Sequence, residues 1–389
     1  MMKTGMRLCT LMLAIFCLAA LTPAPSTQPA PAGQVRTYYI AADEIDWNYF
    51  PSGVDKMMGM AADGYAKAYT QRGAHLIGSV YRKAVYREYT DATFSHLKPR
   101  PDGQQYLGLV GPVIWAEVGD TIKIVFRNHG THPYSMHPHG VFYTKASEGS
   151  PYSDGVAVAD KGGASVAPGK TFTYEWDVPE RAGPGPNDRS SVVWPYHSHV
   201  DERGDVNAGL IGAIVVTRQG MARPDGTPKD VDREFVTYWV IFDENSSLFA
   251  EQNFKRFVKN YKPSDRFKTA PVDPSGNFDA LLGTGPVSAN FRDTINGYQF
   301  ANLPMPTMKR GEHVRWYVLS LGEGVNFHTP HWHGNTVLSN GNRVDVLLIG
   351  PAQSLTVDMV PDNPGIWMMH CHLSDHMQAG MAGRYQVLP

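Results

Sequence analysis

Cysteine is almost absent from this 389-residue chain, with three in all. Cys9 and Cys17 fall inside an N-terminal segment that reads as an export signal, so Cys371 stands alone in the rest. A lone thiol closes no internal disulfide, which excludes a cystine-stapled fold and leaves metal ligation as the reading for an exported protein. Charge of one sign is lacking too: 35 Lys and Arg face 37 Asp and Glu. That balance excludes a basic nucleic-acid surface and a polybasic membrane patch. Long apolar runs are missing except for Leu8 to Leu21, shorter than the roughly 20 residues a spanning helix needs. Lys3 and Arg7 precede that run and a Pro/Ala/Ser stretch follows it to Gly33. Residues 1–33 are therefore expected to be a signal peptide and flexible spacer, the protein to be exported to a periplasm or secreted, and no membrane association to remain after cleavage.

Glycine and proline are plentiful, 38 and 29, and Val, Thr, Tyr, Trp and Phe come in short runs. This composition predicts an all-β protein with many turns. Its order repeats. Arg36 to Glu44 and Arg233 to Glu244 are β-type runs ending in acids. Glu117 to Phe126 and Lys309 to Val318 each pass a Gly-acid turn into an alternating strand. A His-x-His-Gly follows in both halves, His137 to Gly140 and His331 to Gly334. Each half then closes alike, with Trp194 to His199, Ala208-Gly209-Leu210 and a strand from Ile211, and with Trp367 to His372, Ala379-Gly380-Met381 and a strand from Gly383. Repetition of the whole order predicts a duplicated domain, residues 34–220 and 221–389. The polar stretch 254–286 reads as a surface excursion of the second unit, and Asn296-Gly297 as a hairpin turn.

Ten of the fifteen histidines fall into four clusters. Residues two apart on a strand share a face, so each His-x-His pair offers two imidazoles to one centre. Cys371, His376 and Met381 supply a thiolate, an imidazole and a thioether, the donor set of a blue copper site, with His328 as candidate for the second nitrogen. Eight histidines remain, two pairs from each half: His137, His139, His197 and His199, and His331, His333, His370 and His372. Eight are too many for one mononuclear site and suit three coppers bridged by oxygen species. The first half keeps both pairs but carries Tyr134, Ser198, approximately Arg203 and Leu210 at the blue-site positions, so the blue copper is expected only in the second. His75, His96, His129, His132 and His313 lie outside the pattern and are read as structural.

These motifs resemble the multicopper oxidases, specifically the ceruloplasmin-like branch. The run from His370 to Met381 matches that family's closing motif, and Tyr196 to Asp201 with Gly209 to Gly212 matches its first-domain motif; the similarity extends from about Tyr38 to the C-terminus. The resemblance implies cupredoxin-like Greek-key β-sandwiches and one-electron oxidation of a reductant coupled to reduction of O2 to water. It implies four coppers per subunit: a type 1 ion on His328, Cys371, His376 and Met381, and a type 2 ion on His137 and His331. The type 3 pair would sit on His139, His197 and His372 and on His199, His333 and His370. Cys371, His370 and His372 would carry electrons to O2. Similarity to two-domain laccases implies a homotrimer with each cluster shared between neighbouring subunits.

The expected donor is a small reductant, a phenol or diamine in laccase fashion, or alternatively ferrous or cuprous ion. Asp375, beside His376, matches an acid of the family's iron site and suits a hard metal ion or a phenol proton. The family's further iron ligands are altered here to Asp293 and Ser288, and Met57, Met58 and Met60 offer a soft cuprous contact. A copper buffer or electron carrier without turnover is the non-enzymatic alternative.

Overall fold

Along Thr121–Asn128 burial alternates strictly, with Ile122, Ile124, Phe126 and Asn128 turned inward, as expected of a strand with one face on a core. The computed structural model describes residues 33–73, 76–258, 262, 288–322 and 326–389 and arranges such strands into sheets twice over. In the first half Val80–Tyr89, Val35–Asn48, Thr121–Asn128 and Thr171–Asp177 lie side by side in that order. A second sheet runs Val113–Glu117, Ile211–Thr217, Ser191–His197, His137–Pro138. The second half repeats both orders. Phe291–Ile295, Arg233–Asp243, Val314–Leu319 and Ser354–Met359, extended by Val337–Ser339 and Asn342–Val344, form one sheet. Thr307–Lys309, Ala382–Leu388, Gly365–Cys371 and Pro330–Trp332 form the other.

In each half the opening strand pairs in parallel with the strand that follows the Gly-acid turn, Val35–Asn48 with Thr121–Asn128 and Arg233–Asp243 with Val314–Leu319. Parallel neighbours distant in sequence mark a Greek-key connection rather than a meander. The inner faces of the paired sheets meet. Ile122, Ile124, Phe126 and Trp176 share one buried cluster with Ile114, Ile214, Val216 and Tyr196. Phe235, Trp316 and Val318 do the same with Met308, Met369, Tyr385 and Val387. The expected all-β, two-sandwich fold is the one observed, and the helices are short, such as Gly64–Thr70, Glu202–Ala208, Ala250–Phe257 and Ser374–Gln378. Asn296 and Gly297 both have positive φ, 53° and 80°, between Ile295 and Tyr298, which exchange backbone hydrogen bonds. Two positive φ values are what a primed two-residue hairpin turn demands. The expected signal and spacer up to residue 32, and most of the excursion after helix Ala250–Phe257, lie outside the described residues.

Residues 33–389 form one compact unit because the halves interlock through buried polar contacts. Tyr238 donates to the Gly212 carbonyl at 2.5 Å, and the Ser191 and Tyr317 hydroxyls meet at 2.7 Å. Lys83, wholly buried, pairs with Glu244, 1% exposed, and also donates to the Asn207 carbonyl; Tyr49 donates to the same Glu244 oxygen at 2.5 Å. Removing one member of a buried pair strands the other charge, at a cost of about 3–5 kcal/mol. Lys83→Ala is expected to lower unfolding free energy by about that amount, and Lys83→Met with Glu244→Gln to recover much of it. Denaturant titration checks this; equal stabilities for the wild type and Lys83→Ala would refute the role of the pair.

Candidate metal centres

Cross-strand register places the histidines. His137 lies opposite His197 in the antiparallel pairing of His137–Pro138 with Ser191–His197, and His331 lies opposite His370 in the matching pairing. Each register sets one imidazole at the middle of a group of four. The His137 ring is 5.3, 5.5 and 5.2 Å from those of His139, His197 and His199. The His331 ring is 5.0, 5.4 and 5.5 Å from those of His333, His370 and His372. In the first group His139 Nε2 comes within 3.1 Å of His197 Nε2, and in the second His333 Nε2 within 3.0 Å of His370 Nε2.

The opposite ring nitrogens are tied down. His137 Nδ1 bonds the Glu148 carbonyl at 2.6 Å, His197 Nδ1 the Ser198 carbonyl at 3.0 Å, and His199 Nδ1 the Ser150 hydroxyl at 3.2 Å. His331 Nδ1 bonds the Asp345 carbonyl at 3.0 Å and His370 Nδ1 the Cys371 carbonyl at 2.7 Å. A carbonyl accepts only, so Nδ1 carries the proton and Nε2 presents its lone pair to the centre. Burial depresses both His139, to about 4, and His197, to about 3, with neighbouring imidazoles adding to the effect. These rings remain neutral at physiological pH, the state a metal needs. Converging lone pairs on neutral imidazoles fit a cluster of transition-metal ions.

The glycine of each His-x-His-Gly has a local reason. Gly140 and Gly334 hold φ of 75° and 74°. An added Cβ would lie 2.3 Å from the Trp194 ring and 2.9 Å from the Trp367 ring. A side chain at either place would push the histidine loop off the strand it pairs with.

In the second half the donor atoms of His328, Cys371 and His376 all lie within 4.8 Å of one another, Cys371 Sγ being 3.6 Å from His376 Nδ1. All three are buried, and so is Met381, whose carbonyl accepts from the Cys371 amide while its own amide donates to the His376 carbonyl. Burial works against the Cys371 thiolate. Hydrogen bonds from His328, His376 and the Thr329 amide together outweigh it and bring the thiol down to about 5. A ready thiolate, two imidazoles and a thioether in a dry pocket fit copper. Thr329 escaped the sequence reading because nothing local marks it. Its amide lies 3.3 Å from the sulfur and its hydroxyl accepts from the His372 amide at 2.9 Å, so it touches both centres.

At the degenerate first-half pocket Tyr134, Ser198 and Leu210 are fully buried. The match of Arg203 to His376 needs correcting: the Arg203 side chain is 75% exposed. Asp205 sits beside Ser198 instead, at 2.6 Å, because this half has two more residues between the Ser/Cys position and the Leu/Met position. Beside the second-half pocket, Asp375 is partly exposed with its carboxylate 3.9 Å from His376 Nε2. Asp293 is 5% exposed; burial pushes its carboxyl up to about 7 against the pull of His376 and His328. Of the remaining histidines, His75 lies outside the described residues and His96 is exposed. His129 pairs with Asp43 at 2.8 Å, His132 packs on Phe249, and His313 pairs with Asp358 at 3.0 Å.

Two β-sandwiches bearing one buried Cys-His-His-Met pocket and two four-imidazole groups define a copper-protein scaffold of cupredoxin type. The chain belongs to the multicopper oxidase family: two multicopper oxidase profiles match residues 107–220 and 270–389, together more than half its length. Members of this family are copper-dependent oxidoreductases that use O2, and four coppers are typical of them. The chain is 43% identical to human Ferroxidase HEPHL1 over 355 residues, covering 90% of this chain and 29% of the relative. It is 39% identical to human ceruloplasmin over 360 residues, 91% of this chain and 32% of the relative, and 38% identical to human hephaestin over 358, 90% and 28%. It thus spans under a third of the length of these relatives. Among solved structures, a multicopper oxidase matches with a TM-score of 0.55 at 19% identity, covering 91% of this chain and 89% of the other. A blue copper oxidase from Nitrosomonas europaea matches at 0.52 and 19%, covering 91% and 86%. These last two show the fold.

The depressed His197 has a measurable consequence in the metal-free protein. Its folded value, about 3, lies below the unfolded value of about 6.5, so between them the unfolded chain holds the extra proton and stability falls as pH falls. Relative to His197→Asn, the metal-free wild type should lose stability progressively from about pH 6.5 downward. Denaturation midpoints at pH 7.5 and 5 check this; parallel shifts in both proteins would refute it.

Proposed function

We propose that this protein oxidises a low-valent metal ion, one electron at a time, and delivers four electrons to O2, consuming four protons and forming two waters. One observation carries the reading. Cys371 sits in the buried thiolate pocket while its chain neighbours His370 and His372 belong to a four-imidazole group, so a single tripeptide joins donor side to O2 side. His328, Cys371, His376 and Met381 would hold the type 1 ion, His137 and His331 the type 2 ion, and the other six imidazoles the type 3 pair. Copper, when bound, supplies the one-electron couple. The residues set what it faces: Thr329 steadies the thiolate, the carbonyls of Glu148, Asp345, Ser198 and Cys371 aim the imidazoles, and burial favours the neutral form of His137, His197 and His370.

A metal ion is favoured over the phenol or diamine of the laccase-like expectation on two grounds. Asp293 and Asp375 put carboxyl groups next to the type 1 pocket, and hard oxygen donors suit ferrous ion. HEPHL1, at 43% identity, is a ferroxidase by name. A copper buffer or electron carrier would need only the thiolate pocket and leaves two four-imidazole groups without a task.

The reading includes an assembly. Each four-imidazole group is half of the expected trinuclear site. Among the described residues no ring contact joins one group to the other, and His333 and His372 are exposed. A homotrimer, in which the first domain (34–220) of one copy meets the second (221–389) of a neighbour, would complete each cluster. Export follows from the N-terminal signal; no described helix is long and apolar enough to cross a membrane.

Three outcomes are expected. Cys371→Ser should lose the blue absorption and O2 uptake together; an undiminished blue band would sink the type 1 assignment. With wild type, O2 uptake per enzyme should be at least tenfold faster with Fe(II) than with a phenol, and the reverse order would restore the laccase-like reading. Finally, co-expressing His137→Ala/His139→Ala chains with His331→Ala/His333→Ala chains should restore part of the activity that each lacks alone. Clusters built within one chain would give no restoration.

A further inference from the structure

The pocket that holds the thiolate centre in the second half has a filled counterpart in the first. Tyr134, Ser198 and Leu210 stand where His328, Cys371 and Met381 stand, and all are fully buried. Between them sits Asp205, also fully buried, on the short helix Glu202–Ala208, the counterpart of helix Ser374–Gln378 that carries His376. One Asp205 oxygen, Oδ2, accepts from the Ser198 hydroxyl at 2.6 Å and from the amides of Val200 at 3.2 Å and Asp201 at 3.1 Å. Ser198 Oγ accepts in turn from the Ser135 amide at 3.0 Å. Ser135 Oγ accepts from the His199 amide at 3.0 Å and donates to the Gly149 carbonyl at 2.6 Å.

This chain of bonds holds the His197-Ser198-His199 strand end, the loop leading into His137, and the turn back to the closing strand. The backbone beneath is the same in both halves: Ser198 donates to the Leu210 carbonyl at 3.2 Å as Cys371 donates to that of Met381 at 3.1 Å. The difference is the cross-link from the central residue to its helix. In the second half it is the Cys371 Sγ–His376 Nδ1 contact at 3.6 Å, between two candidate metal ligands. In the first it is a carboxylate gathering hydroxyl and amide donors on Oδ2, while its buried Oδ1 takes no hydrogen bond among the described residues.

We propose that Asp205 is a positioning residue that replaces the lost type 1 metal as organiser of the first half's copper-binding histidines. The first four-imidazole group therefore hangs on bonds that include no candidate type 1 ligand, whereas the second hangs on Cys371 and His376, which copper would bind, so loading that pocket should tighten the second segment more than the first. This rests on the reading of the eight histidines as copper ligands.

Hydrogen–deuterium exchange on the full-length protein, metal-free and copper-loaded, tests it without any variant. Peptides covering 197–210 should exchange at rates within about twofold in the two states, and peptides covering 370–381 at least tenfold faster without copper. Equal metal dependence of the two segments would overturn the proposal. Asp205→Ala should speed exchange of 197–210 at least tenfold and lower bound copper per subunit while keeping the blue absorption. Asp205→Asn, which keeps an acceptor oxygen, should restore protection and copper count. An Asp205→Ala protein with wild-type protection and full copper would also overturn it. Should Asp205→Ala fail to fold, Ser198→Ala, which removes only the central hydroxyl, takes its place with the same expectation. Wild type that binds no copper would instead refute the proposed function, and exchange of the metal-free proteins would then judge Asp205 alone.

Discussion

The two four-imidazole groups depend on two short antiparallel pairings, His137 against His197 and His331 against His370. A slip of one residue in either would turn its imidazoles to the other face of the sheet, since side chains alternate along a strand. The register is held from below by packing rather than by the histidines. Trp194 and Trp367 lie under Gly140 and Gly334 with no room for a side chain. Tyr196 donates to the Pro112 carbonyl, and Tyr385 to that of His333, on the core side of the same sheets. The hydrophobic interior thus aligns the strands, and the candidate metal ligands occupy the ends it leaves.

On that scaffold the second half adds two strands to one sheet, Val337–Ser339 and Asn342–Val344, but the difference with the largest chemical effect lies in one pocket. Strand order, parallel and antiparallel sense and the four-imidazole groups recur, whereas the space beneath holds a thiolate set in one case and a hydroxyl–carboxylate set in the other. The exchange is conservative in geometry because the central residue accepts the matching amide in both halves, Ser198 Oγ from Ser135 and Cys371 Sγ from Thr329. Its chemical effect is large. A buried thiol held near 5 by two imidazoles is a soft-metal ligand, and a serine hydroxyl donating to aspartate is not. The chain thus carries one soft-metal pocket among the described residues, in its second half. The neighbouring carboxyls, Asp293 and Asp375, place hard oxygen donors beside that same pocket.

Much of this was readable in the residues. Alternation in Thr121–Asn128, the Asn296-Gly297 turn and the repeated order of motifs led to two all-β units, because side-chain periodicity and turn chemistry are local properties. The ligand inventory was readable for a similar reason: His-x-His spacing and a Cys-His-Met set carry their chemistry wherever they fold. Arg203 was mismatched because two additional residues lengthen its turn, and counting along the chain cannot tell which residue of a loop faces inward. Thr329, Ser135 and Asp205 gave no signal, being common polar residues whose importance comes from what they touch.

Sequence by itself therefore determined the fold class, the repeat, and the metal that the donor atoms select. Tertiary structure decided which imidazoles are grouped together, that a buried Asp293 lies beside the thiolate pocket, and that Asp205 occupies the matching place in the first half. The division has one physical cause. Periodicity and ligand softness belong to short segments, whereas burial, hydrogen-bond partnership and the distance between lone pairs exist only once segments far apart in the chain are packed together.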